Sequence, residues 1–220
     1  AGHDALIIKP EGGVLERLPF RTDSLHTQSY QVHVKLTDTP QTPIEVECKS
    51  RLSQYEANAS MLRNKPEERK DRIRKNIQLN RATIGEVEVF ETSDSIPELT
   101  ERYALQAMYG NKNGNRFFIP VNPFREEPFR LTKEKRKHDI HLSYGYMDND
   151  TIRISLPEGY QVETKPKDIS QTYPFGHIQS KIEVTDKELV ITQSLFIKKG
   201  VYPVSQINEF IVFGEAIKKA

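Results

Sequence analysis

Apolar residues fall on every second position at Tyr30, Val32, Val34 and Leu36, with Gln31, His33 and Lys35 between them. Ile44, Val46 and Cys48 repeat the pattern against Glu45, Glu47 and Lys49. Successive side chains of a strand point to opposite faces, so each stretch predicts a strand with one face buried. Alternating or short apolar runs continue at 86–90, 116–121, 139–146, 151–156, 177–184 and 188–197. Segments rich in turn formers, Gly110 to Gly114 and Asp148-Asn149-Asp150, separate several of them. Many short strands without alternating helices of 10–15 residues predict a mainly β fold, an antiparallel β-sandwich.

Two helical segments interrupt the strands. Ser53-Gln54-Tyr55-Glu56 has the spacing of a capping box and opens a segment spanning about 53–79. Pro66, followed by Glu67 and Glu68, marks a second helix start within it. Beyond that proline only Ile73 and Ile77 make an apolar stripe among Arg69, Lys70, Asp71, Arg72, Arg74 and Lys75, which predicts a charged, peripheral helix. A firmly packed amphipathic helix is expected over 205–219, where Ile207, Phe210, Ile211, Gly214 and Ile217 recur at helical spacing. Ser205 is its expected N-cap, and Lys218 and Lys219 sit at the negative end of its dipole. Residues 1–25, broken by Pro10, Gly12, Gly13 and Pro19, read as a connector leading into one domain over 26–220.

A chain of 220 residues, 36% hydrophobic and 29% charged, is long enough to bury a real core. Its 32 basic and 31 acidic residues nearly cancel, so the overall charge gives no reason to expect nucleic acid or an anionic membrane as partner. The basic run from Lys133 to Lys137 reads as a solvated turn. No apolar stretch approaches the roughly 20 residues that span a bilayer. A single cysteine excludes an intrachain disulfide and a Cys-rich metal site.

The same cysteine is the only thiol nucleophile on offer, and its strand phase places it in the core beside Ile44 and Val46. His138 and His141 form the one tight histidine cluster and are the only metal candidates. On a strand their odd spacing sends them to opposite faces, and only a turn would let them share an ion. The neighbouring glutamates Glu126-Glu127 and Glu67-Glu68 do not face one another across a cleft, as glycoside hydrolysis requires. With no nucleotide, hydrolase or common metal motif, the expectation is no catalytic residue and no cofactor. Phe117, Phe124, Phe129, Tyr144 and Tyr146 are the candidates for a glycan- or peptide-binding surface. In a protein without tryptophan, core packing is their first role.

Three segments carry a family likeness: Ile152-Arg153-Ile154-Ser155-Leu156-Pro157-Glu158-Gly159-Tyr160, then Tyr173-Pro174-Phe175-Gly176, then the amphipathic run from Asn208 to Ile217. In this order they resemble the β-rich domain of unknown function that follows the catalytic core in bacterial transglutaminase-like proteins. The opening stretch from Gly2 to Pro19 is similar to the exit from such a core. The resemblance implies an accessory domain of a secreted or periplasmic, envelope-associated protein. It would pack against or orient an upstream catalytic domain whose Cys, His and Asp lie outside this sequence. An independent module for envelope glycan or peptide is the competing expectation.

Overall fold

A computed structural model describes residues 4–17, 21–39, 41–92, 95–125, 128–129 and 137–220. The chain opens with an antiparallel ribbon, β1 (Asp4–Lys9) and β2 (Gly12–Arg17). Then follow β3 (Thr27–Lys35), β4 (Thr42–Arg51), the helices α1 (Ser53–Asn58) and α2 (Pro66–Asn76), β5 (Asn80–Thr92) and β6 (Glu98–Met108). Short strands β7 (Asn111–Asn113), β8 (Arg116–Phe118) and β9 (Ile140–Leu142) lead to β10 (Tyr146–Ser155). The chain continues with β11 (Ile169–Tyr173), β12 (Gly176–Val184), β13 (Glu188–Ile197), β14 (Gly200–Tyr202) and α3 (Ile207–Lys219).

The fold is mainly β, as the alternation predicts, and the sheets do not close into a barrel among the described residues. Eight strands form one sheet in the order β11-β12-β13-β10-β3-β4-β6-β5, and three two-stranded sheets accompany it. Every join in the large sheet is antiparallel except the one between β10 and β3, which is parallel. The expectation of purely antiparallel pairing is corrected there, because β3 and β10 lie far apart in sequence and no hairpin sets their direction. The join divides the sheet into an N-terminal half, β3 to β6, and a C-terminal half, β10 to β13.

One face of this sheet is covered. Val32 and Val34 of β3, Ile44 and Val46 of β4, Leu105 of β6, and Ile152 and Ile154 of β10 all point to it and are buried. Met61, Ile73, Ile77 and Phe124 close over them from the helical segment and a following loop. A second cluster lies on the same side, where Ile178, Leu195 and Ile197 meet Phe210, Phe213 and Ile217 of α3. The opposite face carries Gln31, His33, Lys35, Glu45, Arg102 and Arg153, all exposed. An antiparallel sheet tolerates this arrangement, one face packed and one wet.

Several local expectations are corrected. Ser53 does not cap α1. His26 takes that place, its Nδ1 lying 3.2 Å from the Ser53 amide and 2.9 Å from the Ser53 hydroxyl. The reciprocal half of a capping box occurs instead at α2, where the Glu68 carboxylate accepts the Lys65 amide at 3.0 Å. Ser205 does not cap α3, which is preceded by a 3-10 turn over Val204–Gln206. Asp148-Asn149-Asp150 lies within β10 and not in a turn.

The family-like motifs have physical reasons. Gly176 follows the two-residue loop Pro174-Phe175 with φ +149°, and a Cβ there would meet the Phe196 carbonyl oxygen at 1.8 Å. Phe175 is thereby driven fully into the second cluster, with ring centroids 4.8 Å from Tyr202 and 5.1 Å from Phe210. Phe175→Ala should cost about 3–5 kcal/mol in urea unfolding. Phe118→Ala, at an exposed position, should change stability by no more than about 0.5 kcal/mol. Equal effects would mean that Phe175 does not anchor this cluster.

Candidate functional site

Period-2 burial brings polar side chains inward at several strand positions that flank the two apolar clusters. On β10, Asp148 and Asp150 precede Ile152 and Ile154 on the covered face. On β6, Glu101 lies in phase with Leu99, Tyr103 and Leu105. On β13, Gln193 separates Ile191 from Leu195. A buried polar group without a hydrogen bond costs on the order of 1–3 kcal/mol, so each demands a partner.

Asp150 has a full set. Its Oδ1 accepts the Tyr30 amide at 3.2 Å, and its Oδ2 accepts Asn122 Nδ2 at 2.8 Å and Arg125 Nη2 at 2.9 Å. The Tyr30 contact falls between the paired positions Asp148↔Gln28 and Thr151↔Gln31, where the β10–β3 pairing is interrupted with its register unchanged. Asn122 Nδ2 also donates to Gln193 Oε1 at 2.8 Å, and Gln193 Nε2 donates to the main-chain oxygen of Ala220. Ser180 donates to that same oxygen at 3.1 Å. One network thus ties β3, β10, β12, β13, the loop at 122–125 and the end of α3. Arg125 and Asp150 are both deeply buried, their side chains 10% and 3% exposed.

Beside this network lies a cavity of about 400 Å³. Tyr30, Tyr103, Phe124 and Tyr146 supply aromatic walls; Glu101, Asp148, Asp150, Arg72 and Arg125 supply charge. Arg72 is anchored from α2, donating to Ser60 Oγ at 2.8 Å and Asn58 Oδ1 at 2.5 Å. Asp148 differs from its neighbour Asp150, because its Oδ1 is buried without a hydrogen-bond partner. Burial, reinforced by the Asp150 charge and only partly offset by Arg125, pushes its carboxyl up to about 7. Burial also raises the Glu101 carboxyl, with Arg72 and Arg69 opposing the shift. Arg125 Nε is likewise buried without a partner.

Of the aromatic residues singled out from sequence, Phe124 and Tyr146 line this cavity. Phe117 packs on Tyr160 at 5.3 Å, Phe129 packs on Phe210 at 4.8 Å, and Tyr144 is exposed. His138 precedes β9 and His141 lies within it, both exposed. No group of three or more His, Cys, Asp or Glu side chains is placed to hold a metal ion among the described residues. Cys48 is buried beneath the cavity's tyrosines, and burial, with the nearby Glu101 charge, raises its thiol far from the thiolate a nucleophile needs. Glu126, Glu127 and residues 133–136 of the basic run lie outside the described residues. No helix among the described residues is long and apolar enough to cross a membrane.

A mainly β module, with a polar-lined cavity on the packed face of an open sheet, is the class this geometry defines. A family model described as a domain of unknown function with a solved structure, DUF3858, matches residues 115–220. The matched span contains the C-terminal half-sheet, α3 and all three of the motifs in the last third of the chain. No curated protein matches the chain.

The raised Asp148 carboxyl makes stability pH-dependent in a defined direction. Because the folded state holds this proton to about pH 7 while the unfolded chain releases it near pH 3.8, stability falls as pH rises between those values. Asp148→Asn removes the titration and should melt at least about 2–4 °C above the parent at pH 8, roughly 1 kcal/mol for a chain of this size. The gap should close near pH 4. A variant less stable than the parent at pH 8 would show that the carboxylate is stabilised and not isolated.

Proposed function

We propose that this chain is a non-catalytic accessory module that docks on a partner domain through its N-terminal ribbon. The partner is read as the catalytic domain of a transglutaminase-like, secreted or periplasmic bacterial protein. One observation carries the docking surface: the β1–β2 ribbon exposes Leu6 by 64%, Ile8 by 84% and Leu15 by 72%. Leu6 and Leu15 pair directly across the ribbon, and Ile8 lies two residues from Leu6 on the same face. A lone two-stranded ribbon is only marginally stable in water, and a grouped apolar face of this kind is a recurring mark of protein contact.

The choice of partner class rests on the ordered motifs at 152–160, 173–176 and 208–217, and the domain family matched over 115–220 spans all three. A non-catalytic role agrees with the placement of the nucleophile candidate. Cys48 is sealed in the sheet, and burial holds its thiol far from the thiolate form a nucleophile needs.

The combined substitution Leu6→Ser, Ile8→Ser and Leu15→Ser should leave the melting temperature of the module unchanged. It should also weaken its association with the transglutaminase-like domain of the same gene by about tenfold or more, roughly 1.4 kcal/mol, as read by calorimetry. Unchanged affinity would overturn the docking surface. A gene lacking upstream Cys, His and Asp residues in papain-like order would overturn the partner class.

A further inference from the structure

The cavity beside Asp150 carries an inference that stands apart from the docking reading. Two polar atoms on its lining residues lack partners. Glu101 is 8% exposed and lines the cavity, with the Arg72 and Arg69 charges acting on it. Asp148 Oδ1 and Arg125 Nε are buried and unpartnered. Native interiors satisfy nearly all such groups, and an acceptor and a donor left without partners on two lining residues of a single cavity point to a ligand there.

The lining specifies its chemistry. Glu101, Asp148 and Asp150 against Arg72 and Arg125 leave one net negative charge when all are ionised, so a monocation balances it. Tyr30, Tyr103, Phe124 and Tyr146 present the aromatic surface over which organic ammonium groups are stabilised. The Asp150–Arg125 pair is already committed at 2.9 Å, which fixes the guanidinium beside the cavity. The volume of about 400 Å³ falls within the range that holds small ligands, roughly 300–1,000 Å³.

We propose that this cavity binds an α-ammonium group with an adjacent carbonyl oxygen, the chemistry of a peptide amino terminus or an amino acid. The ammonium is held by the Asp148 and Glu101 carboxylates, and the oxygen by the Arg125 guanidinium. Burial raises both the Asp148 and the Glu101 carboxyls in the empty site, and a bound ammonium draws both back toward ionisation.

The test is calorimetric titration of the full chain with L-alanyl-L-alaninamide, its N-acetyl derivative and L-alanine. The dipeptide amide should bind saturably below about 10 mM, and acetylation, which removes the charge, should weaken binding by about tenfold or more. Asp148→Asn and Glu101→Gln, each checked for an unchanged thermal transition at pH 4.5, should weaken the dipeptide amide similarly. L-alanine binding as tightly as the dipeptide amide would assign the site to free amino acids, and weaker binding would assign it to peptide amino termini. No saturable binding of any probe, or binding indifferent to acetylation, overturns the proposal without reliance on any variant. The docking variants at Leu6, Ile8 and Leu15 should bind these probes normally, so the two readings fail separately.

Discussion

The carboxylate of Asp150 sits at the one parallel join of the large sheet, and both of its oxygens are used. A parallel pair has no hairpin to set its register, and here two stretches of chain more than a hundred residues apart must find each other. Asp150 supplies the specificity. By accepting the Tyr30 amide where the β10–β3 pairing is interrupted, and by holding Arg125 and Asn122 over the same face, it couples the two half-sheets to the loop that covers them. A buried ion pair is not by itself a source of net stability, because desolvation offsets its attraction. Its contribution here is to define which strand positions meet.

Much of the remaining structure follows from keeping that group satisfied. The polar seam separates an apolar cluster under α1 and α2 from one under α3, so the covered face is not one continuous hydrophobic layer. Gln193 and Ser180 extend the seam to the end of α3, which anchors that helix polarly as well as through Phe210 and Phe213. Once Asp150 has taken the nearest donors, Asp148 two residues earlier on the same face is left without one. The cavity and its perturbed carboxyl therefore arise from the same local geometry that joins the sheet.

The sequence made much of the fold legible where inward positions were uniformly apolar. The alternation at 177–184 and 188–197 coincides with β12 and β13. It failed where the inward phase is polar. β6 went unread because Glu-Leu-Thr-Glu-Arg-Tyr-Ala-Leu-Gln-Ala-Met is rich in helix formers and buries Glu101 among its apolar positions. Asp148-Asn149-Asp150 read as a turn for the same reason, since a carboxylate facing a core is intelligible only once its distant partners are known. The clue was nevertheless present: Asp150, Ile152 and Ile154 share one phase, as do Glu101, Tyr103 and Leu105. A polar residue in the apolar phase of a strand marks either a strand end or a buried polar network, and here it marks the network at the parallel join.

The most direct test of this account is a double-mutant cycle on unfolding free energy, with Asp150→Ala, Asn122→Ala and the two combined. Asp150→Ala alone should cost about 3–5 kcal/mol, because it leaves the Arg125 guanidinium buried and uncompensated. The coupling with Asn122 should be about 1 kcal/mol or more, as for groups sharing one network. A small loss at Asp150 together with additive effects would contradict the central role given to its carboxylate at the parallel join.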